Sequence, residues 1–303
     1  MPSEKRARQR ALRAEKQAVQ QQARKRRQNL RRVVWAAILV AVVVVVAVLS
    51  ATGSTKKAGK TTTTTTLASS ATSTSSTTAS TTSTVPPTTF APPTTQPLQT
   101  TAITPVCPPT TGATTREVYF KSKPPNCIST TSVWDATFYT SVGNFVVQMD
   151  AAKSYAGVNN FVFLALYKYY DGTFFHRIVP GFVIQGGDPT GLGTGGSLGY
   201  PGYSFTGNTP PASCKTKATS ACYQTGAFVY ANSTGPSTNG SQFFVVLPGG
   251  ASQLNTEPNY TIFGKVISGM SVCEKVASYP VADSSTGAPS VKVYVTNVTI
   301  KKV

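Results

Sequence analysis

Between Phe174 and Asp188 the chain carries side chains that could bind and polarise an amide. This run reads FFHRIVPGFVIQGGD and places the guanidinium of Arg177 eight residues before the amide of Gln185. An even spacing puts two side chains on one face of a continuous strand, although Pro180-Gly181 interrupts this one. The run holds no thiol, no acid–base pair and no metal-ligand spacing. Its chemistry therefore suits binding a peptide carbonyl rather than breaking a bond.

Two later runs complete this pattern: GAFVYANSTGPSTNGSQFF at 226–244 and YTIFGKVISGM at 260–270. At these three runs the sequence resembles the cyclophilins, the cyclosporin-binding class of peptidyl-prolyl cis-trans isomerases. The family pattern is F-H-R-[IV]-x-P-x-F-x-x-Q-G-G-D, then A-N-x-G-P-x-T-N-G-S-Q-F-F, then F-G-x-V-x-x-G. All three occur in this order, the second with one extra residue between Asn232 and Gly235. The resemblance covers residues 131–303.

The resemblance implies a mainly β fold, a closed eight-stranded antiparallel barrel with two capping helices. The residue patterns agree with it. Alternating apolar residues predict a hairpin over 134–149, and Ser154 is placed to cap a helix over 155–167. Further strands are expected around 174–185, 226–231, 242–247, 261–267 and 291–300, and a second helix around 270–278. Many strands with two short helices are typical of an antiparallel barrel.

The implied activity is isomerisation of X-Pro bonds in proline-containing polypeptides, which assists protein folding. Amide resonance sets a barrier of about 18–20 kcal/mol, and no covalent chemistry or cofactor is needed to lower it. By resemblance, Arg177 stabilises the twisted amide and Gln185 holds the substrate backbone. The resemblance also implies substrate-binding residues, which are Phe182, Val183, Ala231, Asn232, Gln242, Phe244, Leu254 and Tyr260.

Three positions depart from the family pattern. Val183 stands where Met is common, Gln253 stands where many members have Trp, and Tyr260 stands where His is common. The Gln253 difference predicts that cyclosporin binds weakly. The Tyr260 and Gln253 differences leave an alternative open, in which the domain binds proline-containing peptides or acts as a chaperone without turnover.

The basic character of the chain is concentrated at its N-terminus. Of a net charge of +18, residues 1–32 hold twelve Lys and Arg against two Glu. We interpret them as a cytoplasmic tail that sets topology and touches anionic lipid. Nucleic-acid binding is the alternative interpretation, and we expect none because no aromatic residue interleaves the charges.

An apolar segment follows the tail. Val33–Leu49 is an uncharged run of 17 residues, at the lower limit for a membrane span. We predict a transmembrane anchor over 33–52, with everything after it outside the cytoplasm. Small residues at Ala51-Thr52-Gly53 leave a cleaved signal peptide open.

The predicted organisation has three further parts. Residues 53–106 are rich in Thr, Ser and Pro and are expected to form a disordered stalk, a candidate for O-glycosylation. Residues 107–130 form a Cys-bracketed lead-in, and 131–303 form the isomerase domain. Tail, anchor and stalk together look Gram-positive bacterial. They predict a single-pass cell-membrane protein acting on exported or surface proteins.

All five cysteines lie on the predicted outer side, where disulfides are stable. Proximity in the sequence favours the pairs Cys107–Cys127 and Cys214–Cys222, with Cys273 left as a small buried hydrophobe, although fifteen pairings are possible. With His176 as the single histidine, no metal site is expected.

Overall fold

The computed structural model describes residues 90–93 and 97–303. The predicted tail, the predicted anchor at 33–52 and most of the predicted stalk lie outside the described residues. Among the residues that are described, no helix is long and apolar enough to cross a membrane.

Eight of the ten described strands form one curled antiparallel sheet, in the order β10-β1-β2-β7-β5-β6-β4-β3. The remaining two, β8 and β9, pair with each other. The strands are β1 (Val133–Thr140), β2 (Gly143–Asp150), β3 (Arg177–Val179), β4 (Val183–Gly186), β5 (Ala227–Tyr230), β6 (Phe243–Val246), β7 (Ile262–Ser268), β8 (Val281–Asp283), β9 (Ala288–Pro289) and β10 (Val295–Lys302). The mainly β architecture with an eight-stranded sheet is confirmed.

The expected closure of the barrel is only partial. The outer strands β3 and β10 do not form a ladder, and an isolated bridge between Phe174 and Tyr294 joins the two ends of the sheet. Beside it, the Phe175 N–H donates to the Val293 carbonyl at 3.1 Å. The ladder does not continue along β3, because the Ile178 N–H at its outer edge donates instead to the carbonyl of Gly287, just before β9, at 2.7 Å.

Three α-helices occur in the described part of the chain, one more than expected. They are α1 (Tyr155–Leu166), α2 (Gly250–Thr256) and α3 (Met270–Ala277). The sequence did not indicate α2 because its seven residues, GASQLNT, are mostly small or polar and carry no helical apolar period. Helix α2 is relevant to the candidate site because it carries Leu254, one of the predicted substrate-binding residues.

Helix α1 is buried on all sides over Gly157–Ala165, not on one face alone. Segment 97–130 covers the side that faces away from the sheet. Within it, the Cys127 N–H donates to Asn159 Oδ1 at 2.8 Å, and the Tyr167 hydroxyl donates to the Val106 carbonyl at 3.0 Å. Ser154 is the N-cap residue of α1 as predicted, but its side chain makes no capping bond, and its hydroxyl is buried without a hydrogen-bond partner. The tight approach of Gly157 encloses it.

Both predicted cysteine pairs lie at disulfide-bonding distance. Cys107 meets Cys127, and Cys214 meets Cys222. Cys273 is free and fully buried in α3, and burial raises the pKa of its thiol to about 12. It therefore packs as a hydrophobe and is no nucleophile at neutral pH.

The sheet separates two groups of buried side chains, because successive side chains on a strand point to opposite faces. The inner face carries the main core, which includes Ile184, Phe243 and Val245. The outer face carries a second, smaller cluster. Its members are Val183, Tyr223, Ala227, Val229, Phe244, Val246 and Leu254. Three predicted site residues belong to this outer cluster.

Candidate functional site

Arg177 and Gln185 face each other across a hairpin. The strand expected around 174–185 is interrupted at Pro180-Gly181, where the chain reverses and forms the two strands β3 and β4. Gly181 takes a φ of +71°, which suits glycine in a tight turn. The register of the hairpin pairs Arg177 directly with Gln185. Directly opposed residues share a face, so the two side chains do share one, for a different reason than expected.

The next strand extends this pair into a row. Gln185 is opposite Phe244 of β6, and Phe244 is opposite Val229 of β5. A guanidinium, an amide and an aromatic ring therefore lie side by side across three adjacent strands. All of them are on the outer face, where the sheet register fixes their spacing.

A second amide supports the first. The Gln185 Nε2 donates to Gln242 Oε1 at 3.0 Å. Gln242 itself lies two residues before Phe244 and is opposite Ala231, whose N–H donates to the Gln242 carbonyl at 2.9 Å. The bond uses one donor of Gln185 and leaves its carbonyl oxygen available to accept a hydrogen bond from a bound chain.

Arg177 keeps its charge available to a ligand. Its side chain is only partly buried, and no carboxylate of residues 90–93 or 97–303 lies within 4.0 Å of it. The guanidinium is thus neither neutralised by an ion pair nor locked against another element. Gly287 lies against the aliphatic part of the Arg177 side chain. A Cβ added at Gly287 would lie 3.0 Å from Arg177 Cγ.

Apolar side chains border this row on the side of α2. Phe244 and Leu254 are each 5% exposed and belong to one cluster, against which Phe182 and Tyr260 pack. The Phe244 and Tyr260 rings meet edge to face with centroids 5.6 Å apart. The predicted wall residues Phe182, Val183, Phe244 and Leu254 are therefore brought together, with Tyr260 at their rim.

Asn232 closes the edge beyond Ala231. Its Nδ2 donates to the Asn259 carbonyl at 3.1 Å, and its Oδ1 accepts the Gly235 N–H at 3.1 Å. The extra residue of the second motif thus lies in a turn held by the Asn232 side chain. The insertion does not disturb the pairing of Ala231, the residue after β5, with Gln242.

Leu254 and Tyr260 form the far side of the groove. The position of this side depends on two residues that the motifs do not contain. Tyr223 is 1% exposed, and its hydroxyl is bonded to the backbone of Tyr260, while Asn255 bonds to the backbone of Tyr223. The sequence offered one signal for Tyr223, its position directly after Cys222. Nothing in the sequence pointed to Asn255.

His176 is a buried packing residue beside the row. Neither ring nitrogen has a hydrogen-bond partner, and burial lowers the pKa of the imidazole below its usual value. A neutral imidazole is therefore favoured.

A cavity in the described part of the chain lies elsewhere and includes none of the ten predicted catalytic and substrate-binding residues. It has a volume of about 570 Å³ and lies between the loop at 208–224 and the outer face of β2 and β7. The groove is therefore identified by its chemistry and register rather than by its volume.

The chain matches the family described as cyclophilin type peptidyl-prolyl cis-trans isomerase/CLD over residues 136–300. It is 40% identical over 138 residues to peptidyl-prolyl cis-trans isomerase ppi1 of Schizosaccharomyces pombe, covering 45% of this chain and 81% of that protein. It is 43% identical over 142 residues to peptidyl-prolyl cis-trans isomerase-like 1 of Aspergillus niger, covering 47% and 80%.

Among solved structures, a cyclophilin type peptidyl-prolyl cis-trans isomerase of Cryptosporidium parvum aligns with a TM-score of 0.45 at 28% identity. The alignment covers 56% of this chain and 98% of that one. The family match spans more than half of the chain, and most of the length of both relatives is covered. The chain therefore belongs to the cyclophilin-type peptidyl-prolyl cis-trans isomerases.

Proposed function

We propose that the row Arg177, Gln185 and Phe244 is the catalytic groove of this isomerase. The observation that carries the proposal is the strand register, which aligns the three side chains across β3, β4 and β6. A cation and an amide then border an apolar wall, which suits the apolar ring of a proline. No other group is needed, because the reaction makes and breaks no covalent bond.

The mechanism is selective stabilisation of the twisted amide. When the X-Pro bond rotates, the proline nitrogen loses resonance with the carbonyl and gains a lone pair. A guanidinium beside that nitrogen interacts more strongly with the twisted amide than with the planar one, which is the condition for catalysis. Arg177 is suited to this role because it is unpaired within the described structure and partly shielded from water.

Gln185 and the apolar wall hold the substrate for this step. The carbonyl oxygen of Gln185 accepts a backbone N–H, since Gln242 fixes the amide orientation. Phe182, Val183, Phe244 and Leu254 receive the proline ring, and backbone groups at Ala231 and Asn232 bind the preceding residue. These contacts resist rotation of the proline side while the other side turns.

Arg177→Ala tests the mechanism. In a protease-coupled assay on the full-length chain, we expect kcat/KM to fall about 100-fold, in the range lost when one electrostatic donor is removed. Lys265→Ala is the control, because it removes an exposed cation of β7 that lies away from the row. Unchanged melting would show that the fold survives. Near-full kcat/KM in Arg177→Ala would overturn the mechanism.

We further propose that the enzyme acts outside the cytoplasm on exported or cell-surface proteins. The support is the basic N-terminus, the 17 uncharged residues at Val33–Leu49 and the Thr-rich segment that follows. Two cysteine pairs at bonding distance suit an oxidising compartment. The same N-terminal composition is our reason to infer a Gram-positive bacterial setting.

Protease treatment of intact cells tests this location. The domain should be digested from outside, and the anchor should hold it in the membrane fraction. A mature chain that starts near Gly53 would instead show a cleaved signal peptide. Recovery of the full chain in the cytoplasmic fraction would overturn the proposed location without affecting the proposed groove.

A further inference from the structure

We propose that Tyr223 is a positioning residue for the far wall of the groove. This inference rests on the proposed groove and adds a residue that belongs neither to the row nor to the predicted substrate-binding residues. Tyr223 precedes β5, directly after Cys222, and is almost completely buried in the outer cluster with Phe244 and Leu254.

The hydroxyl of Tyr223 makes two hydrogen bonds to the backbone of a single residue. It donates to the Tyr260 carbonyl at 2.7 Å and accepts from the Tyr260 N–H at 2.8 Å. One side chain thus satisfies both polar backbone groups of Tyr260. The loop from α2 to β7 has no strand partner at this point that could do the same.

Asn255 makes the reciprocal contact from the last turn of α2. Its Oδ1 accepts the Tyr223 N–H at 3.0 Å, and its Nδ2 donates to the Tyr223 carbonyl at 3.2 Å. Tyr223 is therefore bonded to the loop at both Asn255 and Tyr260. These positions lie on either side of the segment Thr256–Asn259 and fix the path between Leu254 and Tyr260.

The position of this loop decides the shape of the proline pocket. Leu254 packs with Phe244, and the Tyr260 ring meets Phe244 edge to face. Asn259 also receives the hydrogen bond from Asn232 at the groove edge. A shift at Tyr260 would therefore move the wall and the rim while leaving Arg177 and Gln185 in place.

A hydroxyl with these partners cannot be lost without rearrangement. Tyr223→Phe leaves the Tyr260 N–H and carbonyl without their partner, and buried unpaired groups are costly. The ring itself still fills its place in the cluster. The loop at 256–260 lies closer to solvent than the cluster, so it moves to find water, and the fold remains.

The disulfide Cys214–Cys222 tethers the residue that precedes Tyr223. It closes the loop at 214–222 and limits how far the Tyr223 backbone can move. Replacing both cysteines by serine should loosen Tyr223 and weaken substrate binding. The effect should be smaller than that of losing the Tyr223 hydroxyl.

Steady-state kinetics of the full-length chain with an X-Pro tetrapeptide tests the proposal. We expect Tyr223→Phe to raise KM about three- to tenfold, as loss of a net hydrogen bond of ~1 kcal/mol predicts. The kcat should stay within about twofold, because Arg177 does not move. Tyr167→Phe is the matched control, since its hydroxyl bonds to the Val106 carbonyl, away from the groove; neither constant should change.

The separate effects of Tyr223→Phe on KM and kcat distinguish a positioning role from a loss of stability. If Tyr223→Phe only lowers the folded fraction, kcat falls and KM is unchanged, which would overturn the proposal. An unchanged KM and kcat would overturn it as well. Near-full activity of Arg177→Ala would overturn the groove itself, so the two failures can be told apart.

Discussion

The two sides of the proposed groove are positioned in different ways. On the near side, Arg177, Gln185 and Phe244 belong to adjacent strands, and the backbone ladder fixes their spacing. On the far side, Leu254 lies on α2 and Tyr260 in the following loop, and the side chains of Tyr223 and Asn255 hold that loop. The near side is therefore built by the backbone and the far side by side chains.

Because of this difference, we expect the two sides to tolerate substitutions differently. A ladder keeps its register when surface residues change, because every backbone group in it takes part. A loop held by one hydroxyl and one amide has no such redundancy. We therefore expect catalysis to depend on the near side, and ligand selectivity to depend on the far side.

The largest effect that we expect on the far side concerns cyclosporin. Gln253 is exposed on α2 next to the buried Leu254, and the sequence resemblance predicts that it stands where many family members have Trp. An indole would add a large apolar contact and a hydrogen-bond donor. We expect Gln253→Trp to raise cyclosporin affinity about 10- to 100-fold, or about 1.4–2.8 kcal/mol, measured by calorimetry on the full-length chain.

Turnover of a small peptide should change little in Gln253→Trp, because a short substrate reaches that position only weakly. Gln253→Leu is the control, since it adds apolar surface without an indole. Nanomolar cyclosporin binding by the unmodified chain would show that Gln253 does not occupy the Trp position. In that case the alignment of the far wall would be wrong.

The same difference decides how much of the molecule could be predicted from the sequence. The hairpin Val133–Asp150 follows from alternating apolar residues around a turn, and β1 pairs with β2 along its whole length. Arg177 and Gln185 share a face as expected, although Pro180-Gly181 achieves this by reversing the chain. At each of these places the local sequence pattern was sufficient to predict which side chains share a face.

The errors have a common physical cause. Helix α2 has no apolar period, and the Ser154 hydroxyl at the N-cap of α1 makes no cap bond. Tyr223 and Asn255 act through partners that are 32 and 37 residues away in the sequence. Such contacts depend on how distant segments pack, which neither period nor spacing in one sequence reveals.

On the near side, we expect Gln185→Ala to reduce kcat/KM about tenfold, less than loss of Arg177. The variant removes the acceptor for the substrate backbone and leaves Gln242 Oε1 without its donor. A net hydrogen bond contributes about 0.5–1.5 kcal/mol, so the two losses together give an effect of this size. The double variant with Gln242→Ala should cost less than the sum of the two single changes.

Strict additivity of the two glutamine changes would contradict this arrangement, because residues that share a hydrogen bond are energetically coupled. Gln224→Ala is a suitable control, since among the described residues the Gln224 side chain bonds only to the Thr219 carbonyl, at 3.4 Å, in the loop at 208–224. It should leave kcat/KM unchanged.

The smallest expected kinetic effect belongs to a residue outside both sides of the groove. Asp171 accepts the Val298 N–H of β10 at 3.2 Å, and burial raises the pKa of its carboxyl from 3.8 to about 6. The folded chain therefore binds this proton more tightly than the unfolded chain does. By linkage, the free energy of unfolding falls as pH rises from about 4 to about 6 and stays lower above that window.

Asp171→Asn should remove this penalty and keep the acceptor for Val298. One pKa unit corresponds to about 1.36 kcal/mol, but the carboxyl is partly exposed and screened. We therefore expect a gain of about 1 kcal/mol at pH 7 and none near pH 4, measured by urea unfolding at both values. Because Asp171 positions neither side of the groove, KM and kcat should not change. A KM that rises in this variant as in Tyr223→Phe would mean that substrate binding responds to changes outside both sides of the groove, and that the position of the far wall is not the specific cause of the Tyr223→Phe effect.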